Sequence, residues 1–468
     1  MVMRTKMLNA LEAKKLVTKV GNEVRSDAMH MRLSRTIKLV LESFSYEHVF
    51  TELLQNADDC IETTSATIEI TDKAVFFTHN GKPFNEQDFR AICDIGVSTK
   101  KPDAHIGFMG IGFKASFKLS DTPHVFSGPF QFHFSRDEVI VPHWVEEIPQ
   151  SVRERLTDGK TLIYLPFRKD FPRDIIDSFI DLLEATFQPI CLVFLRKIKE
   201  LNIVSGASTR SLKIGNVKKH VISVTETKNN NTKSYEFYEF RRSAKISDLA
   251  KGDPRARDSK RSELKKTDIS IVLNIKDGVF FSSLSPLYTF LPTPYQTGLR
   301  FVLNGDFLLN TQRTEPDWTS AWNRWLFSEA QITIEHLVKK VLRDHRQRLG
   351  LFNLMPRKTE VAQDLFKLIF EPLINFLKNS NVVLASDNTL MRPEYLALAS
   401  KEIQRVVPAK KAGAKKYVHP EIKGREFLRE ELSVKDFISE KDEKKLVFEA
   451  INDKEWLSHI SPVEIQRV

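Results

Sequence analysis

The chain has 468 residues, of which 41% are hydrophobic and 28% are charged, and its formal net charge is +10. Two or three domains are expected, because single hydrophobic cores seldom grow beyond about 250–300 residues. No apolar run approaches the roughly 18 residues that predict a membrane span, and the three cysteines fit neither a disulfide framework nor a zinc site. We expect a cytoplasmic protein without a secretion signal and without membrane contact.

The first 200 residues are predicted to mix helices and strands. Two helices are expected over residues 31–63, followed by a hairpin in "SATIEITDKAVFFTHNG" that turns at Asp72-Lys73. A short helix in "NEQDFRAICDI" and another after Gly112 come next, and strands follow, ending in "GKTLIYLPF". A further helix is predicted from about Arg173 to Thr186.

Beyond residue 200 the pattern changes twice. Alternating β-rich segments predict strands over residues 201–345, which end in a Trp-rich helix. Residues 346–468 are predicted to be mainly helical, apart from a small hairpin around Asp387-Asn388. We therefore expect an α+β protein of three parts, the first of which covers residues 1–200.

Positive charge is concentrated in one segment. Residues 241–266, "RRSAKISDLAKGDPRARDSKRSELKK", contain ten Lys or Arg against four Asp or Glu, and almost no large apolar side chains. Two interpretations stay open. The sequence favours a solvated, partly disordered loop, and the alternative is a basic arm that binds the phosphate backbone of DNA or RNA.

The segment "FTELLQNADDC" places three polar residues on one face of a predicted helix. Glu52 and Asn56 are one helical turn apart, Asp59 follows three residues later, and the apolar residues between them point toward a core. A solvated stripe is the simplest explanation for a single helix of this kind. Other segments have to decide whether the face is functional.

Three further segments carry patterns typical of ligand sites. "IGFMGIGFKASF" places Gly107, Gly110 and Gly112 before a helix, so that backbone N–H groups could surround a phosphate. Tight turns also require glycine, so this pattern alone is weak. "HNGKPF" has Asn80-Gly81 after a strand, and "DGKT" has Thr161 at the start of a strand.

Taken in chain order, the four segments resemble the boxes of the GHKL ATPases, whose nucleotide site is the Bergerat fold. A closer resemblance, to sacsin and its prokaryotic and plant relatives, includes "LPTPYQTGLRFVLNGDFLLNTQRTEPDWTSAWNRWL" and spans roughly residues 30–330. The resemblance implies a Bergerat-fold α/β sandwich followed by a second α+β domain. It also implies binding of ATP with Mg²⁺, ATP hydrolysis, and closure of a lid and of the second domain on the nucleotide.

The resemblance implies a role for each matched residue. Glu52 would be the general base that activates water, Asn56 the magnesium ligand, and Asp59 a structural support. Arg313 would reach the γ-phosphate from the second domain, and its alternative is a salt bridge with Glu315 or Asp317. The other residues expected around the nucleotide are Asn80, Gly81, Gly96, Ser98, Thr99, Gly107, Gly110, Ile111, Gly112, Lys114 and Thr161.

The second box departs from the family pattern. It reads His79-Asn80-Gly81, and the Asp that usually hydrogen-bonds the adenine amino group is missing. Reduced purine selectivity is expected, and a degenerate scaffold that does not hydrolyse ATP is one alternative. The expected cycle could serve a nucleic-acid-linked or defence role, or chaperone-like remodelling of protein clients, in a nucleotide-dependent homodimer. A histidine kinase is disfavoured, since no phosphoacceptor helix precedes the first box.

Overall fold

A computed structural model of the protein describes residues 8–26, 34–38, 41, 44–93, 112–157, 159–169, 171–310, 313–406 and 409–437. Within these ranges the chain is a mixed α+β structure organised around one large sheet of 15 strands. The predicted α+β class is confirmed at this level, and the specific Bergerat fold stays a prediction.

The strands, numbered in chain order, form this large sheet and two small ones. The large sheet contains β1 (Ser65–Ile70), β2 (Ala74–His79), β3 (His124–Ser127), β4 (Phe130–His133), β5 (His143–Trp144), β6 (Thr161–Pro166), β7 (Glu200–Ser205) and β8 (Ser208–Lys218). It also contains β9 (Val221–Lys228), β10 (Asn231–Lys245), β11 (Lys266–Lys276), β12 (Val279–Phe281), β13 (Ser285–Thr289), β14 (Leu291–Leu299) and β15 (Val302–Gly305). The small sheets contain β16 (Val383–Leu384) and β17 (Leu390–Met391), and β18 (Leu396–Leu398), β19 (Lys416–Tyr417) and β20 (Lys435–Asp436).

The helices are distributed on both sides of the long β-rich segment. The α-helices before β7 are α1 (Ala10–Ser26), α2 (Tyr46–Asp59), α3 (Glu86–Cys93), α4 (Gln150–Arg153), α5 (Arg173–Thr186) and α6 (Cys191–Phe194). Those after β10 are α7 (Asp248–Lys251), α8 (Pro254–Asp258), α9 (Ala321–Leu342), α10 (Gln363–Leu365), α11 (Glu371–Asn379), α12 (Lys401–Val406) and α13 (Arg425–Glu430). Shorter 3₁₀ segments cover Gly112–Lys118, Arg261–Glu263, Arg348–Asn353, Pro393–Tyr395 and Ala409–Ala412, and a π-helical turn covers Phe366–Phe370.

The large sheet runs through both of the first two expected domains. Its order from one edge is β14-β13-β15-β11-β10-β9-β8-β7-β1-β2-β6-β3-β4-β5, with β12 beside β11. β1 pairs in parallel with β7, which places Ala66 opposite Leu201, and β7 pairs antiparallel with β8. Strand pairing is therefore continuous across residue 200, and the domain boundary expected there stays a prediction.

Helix α2 packs its apolar side against the first part of the sheet. Phe50, Leu53 and Leu54 are 0 to 1% exposed, and they share a core with Ile68 of β1 and Phe77 of β2. Burial of each large apolar side chain contributes about 1.5–3 kcal/mol. The predicted orientation of the apolar residues of α2 is confirmed, and the helix is fixed against the sheet.

Other local predictions are confirmed as well. The β1–β2 hairpin turns at Asp72-Lys73, and α3 lies in the predicted short helix. Helix α5 has the predicted bounds, and β16 and β17 form the hairpin around Asp387-Asn388. Residues 346–437 contain more helix than strand, and they also contain the two small sheets. Strands of two or three residues are too short to leave a periodic pattern in the sequence.

A second core lies beyond the first. Helix α9 buries Leu326, Phe327 and Ile334 against Ile271 of β11 and Leu303 of β15. Described C-terminal residues up to Val434 contribute to the same core, among them Leu365, Leu428 and Leu432. No helix within the described ranges combines the length and the apolar character that crossing a membrane requires.

Residues 241–266 are folded, which corrects the expectation of a solvated, partly disordered loop. They contain the end of β10, helices α7 and α8 and a 3₁₀ turn. Arg261 binds the carboxylate of Asp306 through two bonds of 2.9 and 2.6 Å, and both side chains are buried. Arg242 likewise binds Glu329. The acidic partners lie outside the segment, so its own composition could not predict that it folds.

Candidate functional site

Helix α2 carries the polar face predicted from the sequence, and the fold buries it. Glu52 and Asp59 are 4% and 3% exposed, and Asn56 is half-buried. The simple alternative of a solvated stripe is therefore wrong. A buried carboxylate needs hydrogen bonds or charged neighbours. The groups around Glu52 therefore indicate which chemistry this face of α2 can support.

The two oxygens of the Glu52 carboxylate face different neighbours. Oε1 accepts a charge-assisted hydrogen bond from Nη1 of Arg313 and lies 3.7 Å from Nε2 of His48, one helical turn earlier. Oε2 faces Gly112, where a Cβ atom would lie only 2.1 Å from this oxygen. A side chain at position 112 would therefore displace the Glu52 carboxylate from its present position.

Gly112 brings the start of the 3₁₀ segment Gly112–Lys118 against α2. A Cβ at this position would also lie 3.5 Å from Nδ2 of Asn56. Three residues predicted for the site, Glu52, Asn56 and Gly112, thus lie together. They place a carboxylate and an amide beside the last glycine of the predicted phosphate segment.

Arg313 reaches Glu52 from 261 residues further along the chain. It lies on the Arg313 loop, which is closed by a bridge between Leu309 and Pro316. The Arg313 N–H donates to the Asn310 carbonyl at 3.0 Å, and its φ of 58° lies in the left-handed region that favours glycine. The surrounding structure holds this residue in a backbone conformation that is unfavourable in isolation.

Polar side chains of α8 and α9 hold the Arg313 loop in place. Asn323 of α9 accepts from the Leu308 N–H at 2.8 Å and donates to the carbonyls of Leu308 and Asp317 at 2.6 and 2.9 Å. Arg255 of α8 donates to the Asp317 carboxylate at 2.5 Å and to the Leu309 carbonyl at 2.7 Å. The basic segment thus supports the loop that carries Arg313.

Asp253 joins this segment to the start of α9. Its Oδ1 accepts from the N–H groups of Arg255 and Ala256 at 2.9 and 3.2 Å, which caps α8. Its Oδ2 accepts from the Ser320 hydroxyl at 2.8 Å and from the Trp322 N–H at 3.2 Å. The buried Asp253 carboxylate therefore holds together α8 and the start of α9, the two elements that pack beside the Arg313 loop.

The sequence left open which group Arg313 contacts. Glu315 and Asp317 were the alternatives within its own loop. In the structure the guanidinium bonds Glu52, while the Asp317 carboxylate is engaged by Arg255. The observed contact supports a role for Arg313 across the two cores, and the γ-phosphate contact itself stays a prediction.

The second box is hydrogen-bonded to the sheet. Oδ1 of Asn80 accepts from the N–H groups of Thr64 and Ser65, both at 2.9 Å, and Nδ2 donates to the Thr64 hydroxyl at 2.7 Å. Both lone pairs of the amide oxygen are thus used, which favours a structural role over the expected adenine contact.

His79, the first residue of the second box, is neutral. Its Nδ1 accepts from the Gly81 N–H at 3.2 Å, and burial lowers the pKa of His79 to about 4. The neutral ring therefore carries its proton on Nε2, and the predicted loss of purine selectivity stays a prediction.

Thr161 belongs to a row of polar side chains across three strands. His79 of β2 and Ser127 of β3 lie opposite Thr161 of β6. Thr161 is fully buried, and its hydroxyl oxygen lies 2.6 Å from that of Ser127. Phe77, two residues before His79, belongs to the core under α2, so the row lies on the face that α2 covers.

Two further predicted residues are closely packed. A Cβ at Gly81 would lie 2.1 Å from Oγ1 of Thr63. Lys114 is 0% exposed, and its ammonium lies 3.4 Å from the centre of the Phe134 ring, as a cation–π contact. A phosphate contact of Lys114 stays a prediction. The remaining predicted nucleotide-binding residues lie outside the described residues: Gly96, Ser98, Thr99, Gly107, Gly110 and Ile111.

Asp58, which was not predicted from the sequence, anchors the end of α2. Its carboxylate accepts from the N–H groups of Arg196, Lys197 and Ile198 at 2.9, 2.8 and 2.8 Å. The Lys197 ammonium donates to the Asp59 carbonyl at 2.6 Å, which suits the negative end of a helix. The Asp58 side chain thus stabilises the end of α2, which is the kind of structural role that we expected for Asp59. Only the pair of acidic residues at a predicted helix end could have signalled it.

The oxygen atoms at the site are suitable ligands for a magnesium ion that binds together with a nucleotide. Mg²⁺ takes oxygen ligands and usually binds one or two protein carboxylates plus phosphate and water. Asn56 offers an amide oxygen one turn from the Glu52 carboxylate. No group of three or more His, Cys, Asp or Glu residues that could hold a metal occurs in the described part of the chain. The phosphates would therefore have to supply most of the ligands.

Comparison with known proteins relates the chain to two large proteins. The family described as Sacsin domain matches residues 62–161, from the end of α2 to Thr161. Protein NO VEIN of Arabidopsis thaliana is 30% identical over 344 residues, which cover 67% of this chain and 12% of NO VEIN. Sacsin of Homo sapiens is 30% identical over 115 residues, which cover 21% of this chain and 2% of sacsin.

The chain therefore matches a small fraction of the length of either relative. The region that matches the Sacsin domain family contains the β1–β2 hairpin, Gly112 and Thr161, and the match to NO VEIN is longer. The chain is thus homologous to NO VEIN and to sacsin, and its residues 62–161 match the Sacsin domain family.

Proposed function

We propose that the chain binds ATP with magnesium and hydrolyses it as a GHKL ATPase. One observation carries the proposal: the Glu52 carboxylate lies between Gly112 and Arg313. A glycine turn at a helix start can bind phosphate. A carboxylate can activate water, and a guanidinium can stabilise phosphate charge. Three groups that suit transfer of a phosphoryl group to water are therefore adjacent.

Each of these residues has one task in the proposed reaction. Glu52 accepts the proton of the attacking water, and Arg313 donates hydrogen bonds to the γ-phosphate. Backbone N–H groups at Gly112 contact the phosphates. Asn56 would hold magnesium, which neutralises phosphate charge when bound. The chemistry thus needs residues from both cores of the molecule.

Arg313 also couples the reaction to a change of conformation. Its guanidinium bonds Glu52 in this structure, so the γ-phosphate has to compete with Glu52 for it. A ligand that binds one arrangement more tightly shifts the population toward that arrangement. ATP would thereby move the Arg313 loop relative to α2, and a nucleotide-dependent homodimer is one way to use such a movement.

Calorimetric titration with ATP and Mg²⁺, followed by a phosphate-release assay, tests the proposal. The wild-type protein is expected to bind ATP more weakly in EDTA, and Asn56→Ala should remove most of that magnesium effect. Glu52→Gln should keep ATP binding and lower turnover by about two to four decades. A wild-type protein that neither binds nor hydrolyses ATP would instead be a degenerate scaffold.

Binding of DNA or RNA is the second candidate function. One end of the folded basic segment exposes Lys260, Lys265 and Lys266, which could contact a phosphate backbone. Binding should weaken as salt rises, and reversal of these three charges to Glu should abolish it. Reversal of exposed Lys218 and Lys219 is the matched control. Binding that is absent or insensitive to salt would favour remodelling of protein clients as the use of the cycle.

A further inference from the structure

Three buried polar side chains lie side by side on the face of the large sheet that α2 covers. His79 of β2 pairs directly with Thr161 of β6, which pairs in turn with Ser127 of β3. The three residues are 0 to 5% exposed. Polar groups buried this deeply are normally hydrogen-bonded. Each donor and acceptor of this polar row can therefore be assigned to a partner or identified as available to a ligand.

His79 has a donor that no described residue uses. Its Nδ1 accepts from the Gly81 N–H at 3.2 Å, and burial lowers the pKa of the ring to about 4. The neutral ring therefore carries its proton on Nε2. Within the part of the chain that the structure describes, this N–H donates to no group. An unpaired buried N–H is unfavourable, so a ligand atom that accepts from it is stabilised.

The two hydroxyl groups of the row supply a second donor. The oxygen atoms of Ser127 and Thr161 lie 2.6 Å apart, and either can be the donor in this bond. The Ser127 oxygen also accepts from the Phe84 N–H at 2.9 Å. Two hydroxyl protons are present and one bond uses one of them, so one proton remains whichever way the bond runs. The polar row thus offers one N–H and one O–H as neighbouring donors.

The polar row lies where the base of a bound nucleotide is expected. A Cβ at Gly81 would lie 2.9 Å from the Cβ of Cys60, the residue that caps the end of α2. Cys60 follows Glu52 by eight residues, which correspond to about 12 Å along a helix. With the phosphates between Gly112 and Arg313, this length leaves room for a ribose. The base can therefore reach the polar row.

Two neighbouring donors distinguish purines by the group at C6. Guanine presents two adjacent acceptors on one edge, O6 and N7, whereas adenine presents N7 beside an amino group that is itself a donor. Hypoxanthine has the same O6 and N7 as guanine. A 6-oxo group can accept from the donors of the polar row, but the adenine amino group would meet them proton to proton. The hydrogen-bonding pattern of the row is therefore complementary to a 6-oxopurine.

We propose that the nucleotide site prefers 6-oxopurine nucleotides, with Nε2–H of His79 and one hydroxyl of the Ser127–Thr161 pair donating to O6 and N7 of guanine or hypoxanthine. This inference rests on the proposed nucleotide binding and extends it from ATP to GTP and ITP. ATP keeps N7 as an acceptor, so it still binds, but its amino group faces a donor. His79 is thereby a specificity-determining residue, which acts on the base and not on the phosphates.

Calorimetric titration with ADP, GDP and IDP in the presence of Mg²⁺ tests the preference without hydrolysis. The wild-type protein should bind GDP and IDP about fivefold to a hundredfold more tightly than ADP, as is typical of paired hydrogen bonds to a base edge. IDP lacks the amino group at C2 of guanine, so similar affinities for GDP and IDP would assign the preference to O6 and N7. Equal or tighter binding of ADP, or a preference for GDP that IDP does not share, would overturn the proposal.

His79→Phe keeps an aromatic ring and removes the donor. The variant should bind GDP and ADP with affinities within about threefold of each other, because GDP loses a hydrogen bond that ADP does not make. His124→Phe is the matched control, since His124 stacks on Phe126 on the opposite face of the sheet. It should keep the wild-type preference. An unchanged preference for GDP in His79→Phe would show that another group selects the base.

NMR of the histidine-labelled protein gives a readout that does not depend on relative affinity. The Nε2–H proton of His79, assigned with His79→Phe, should exchange slowly with water when GDP is saturating and rapidly when ADP is saturating. Equal exchange in the two complexes would contradict the proposed hydrogen bond. A protein that binds none of the three nucleotides would refute nucleotide binding together with this inference. Binding of ADP in preference to GDP would refute the inference alone.

Discussion

Helix α2 and the Arg313 loop meet at one contact, but they are held in place by different forces. Phe50, Leu53 and Leu54 fix α2 through buried apolar area. The Arg313 loop depends on hydrogen bonds from α8 and α9 and contains a residue with a φ of 58°. The helical half of the site is therefore encoded locally, whereas the loop half depends on residues that are distant in sequence.

The largest expected effect concerns the anchor of α2. Asp58→Ala should lower the free energy of unfolding by about 3–5 kcal/mol, because it removes a buried carboxylate that accepts from three backbone N–H groups. Denaturant unfolding measures this. Asp137→Ala is the control, since its carboxylate is 97% exposed and surface pairs contribute about 0–1 kcal/mol. Similar losses in both variants would show that the anchor adds little to the apolar packing of α2.

The next effect concerns the support of the Arg313 loop. Asp253→Ala should lower the free energy of unfolding by about 2–4 kcal/mol, since it removes a helix cap and two bonds to the start of α9. Turnover per folded molecule should fall as well, with ADP affinity unchanged. Exposed Asp248 lies on the same segment, and Asp248→Ala is the control. Normal stability in Asp253→Ala would mean that the loop is fixed by other contacts.

A smaller effect is expected where α2 touches the glycine segment. Gly112→Ala places a Cβ at the position of Oε2 of Glu52, and the carboxylate has to rotate away. Turnover should drop about tenfold to a hundredfold, while the free energy of unfolding changes little. Gly350→Ala is the control, because no atom lies within 4 Å of a Cβ at that position. Full activity in Gly112→Ala would show that catalysis does not depend on the space that Gly112 leaves for the Glu52 carboxylate.

The smallest effect lies outside both regions. His124 of β3 packs between His133 and Tyr164, and burial lowers its pKa to about 4. The unfolded chain, with an ordinary histidine pKa of about 6.5, therefore binds more protons between pH 6.5 and 4. The stability is fully present above pH 6.5 and is lost as the pH falls toward 4.

His124→Phe keeps a ring at this position and removes the titration. The wild-type free energy of unfolding should fall by about 2 kcal/mol more than that of the variant between pH 7 and 5. Denaturant unfolding at both pH values measures the difference. Parallel curves for the two proteins would assign the acid sensitivity to other groups, such as His48 and His79, whose pKa values burial also lowers to about 4.

The sequence predicted those features that depend on local periodicity. The polar face of α2, the β1–β2 hairpin and the bounds of α5 follow from spacing within 20 residues or fewer. The partners of Asp58 lie 138 to 140 residues away, and no pattern within one sequence links them. The basic segment was misinterpreted for the same reason, since the acidic partners that fold it lie in other elements.

The contact between Glu52 and Arg313 falls between these two cases. Resemblance to a family suggested both residues, and neither periodicity nor composition could place them together. His48 is one turn from Glu52, and only the fold shows that it is buried beside this carboxylate. Family resemblance suggested the role of Glu52, which stays a prediction, and tertiary structure placed Arg313 beside its carboxylate.

Phosphate release and ADP affinity, measured together on soluble Arg313→Ala, test the central claim most directly. We expect turnover to fall by about two to three decades, because a guanidinium in a water-excluded site stabilises charge that develops on the phosphate. ADP affinity should stay within about twofold, since ADP lacks the γ-phosphate, and addition of Glu52→Gln should lower turnover by less than the two separate losses combined. Normal turnover per folded molecule, or equal losses of ADP and ATP binding, would contradict a site completed by Arg313.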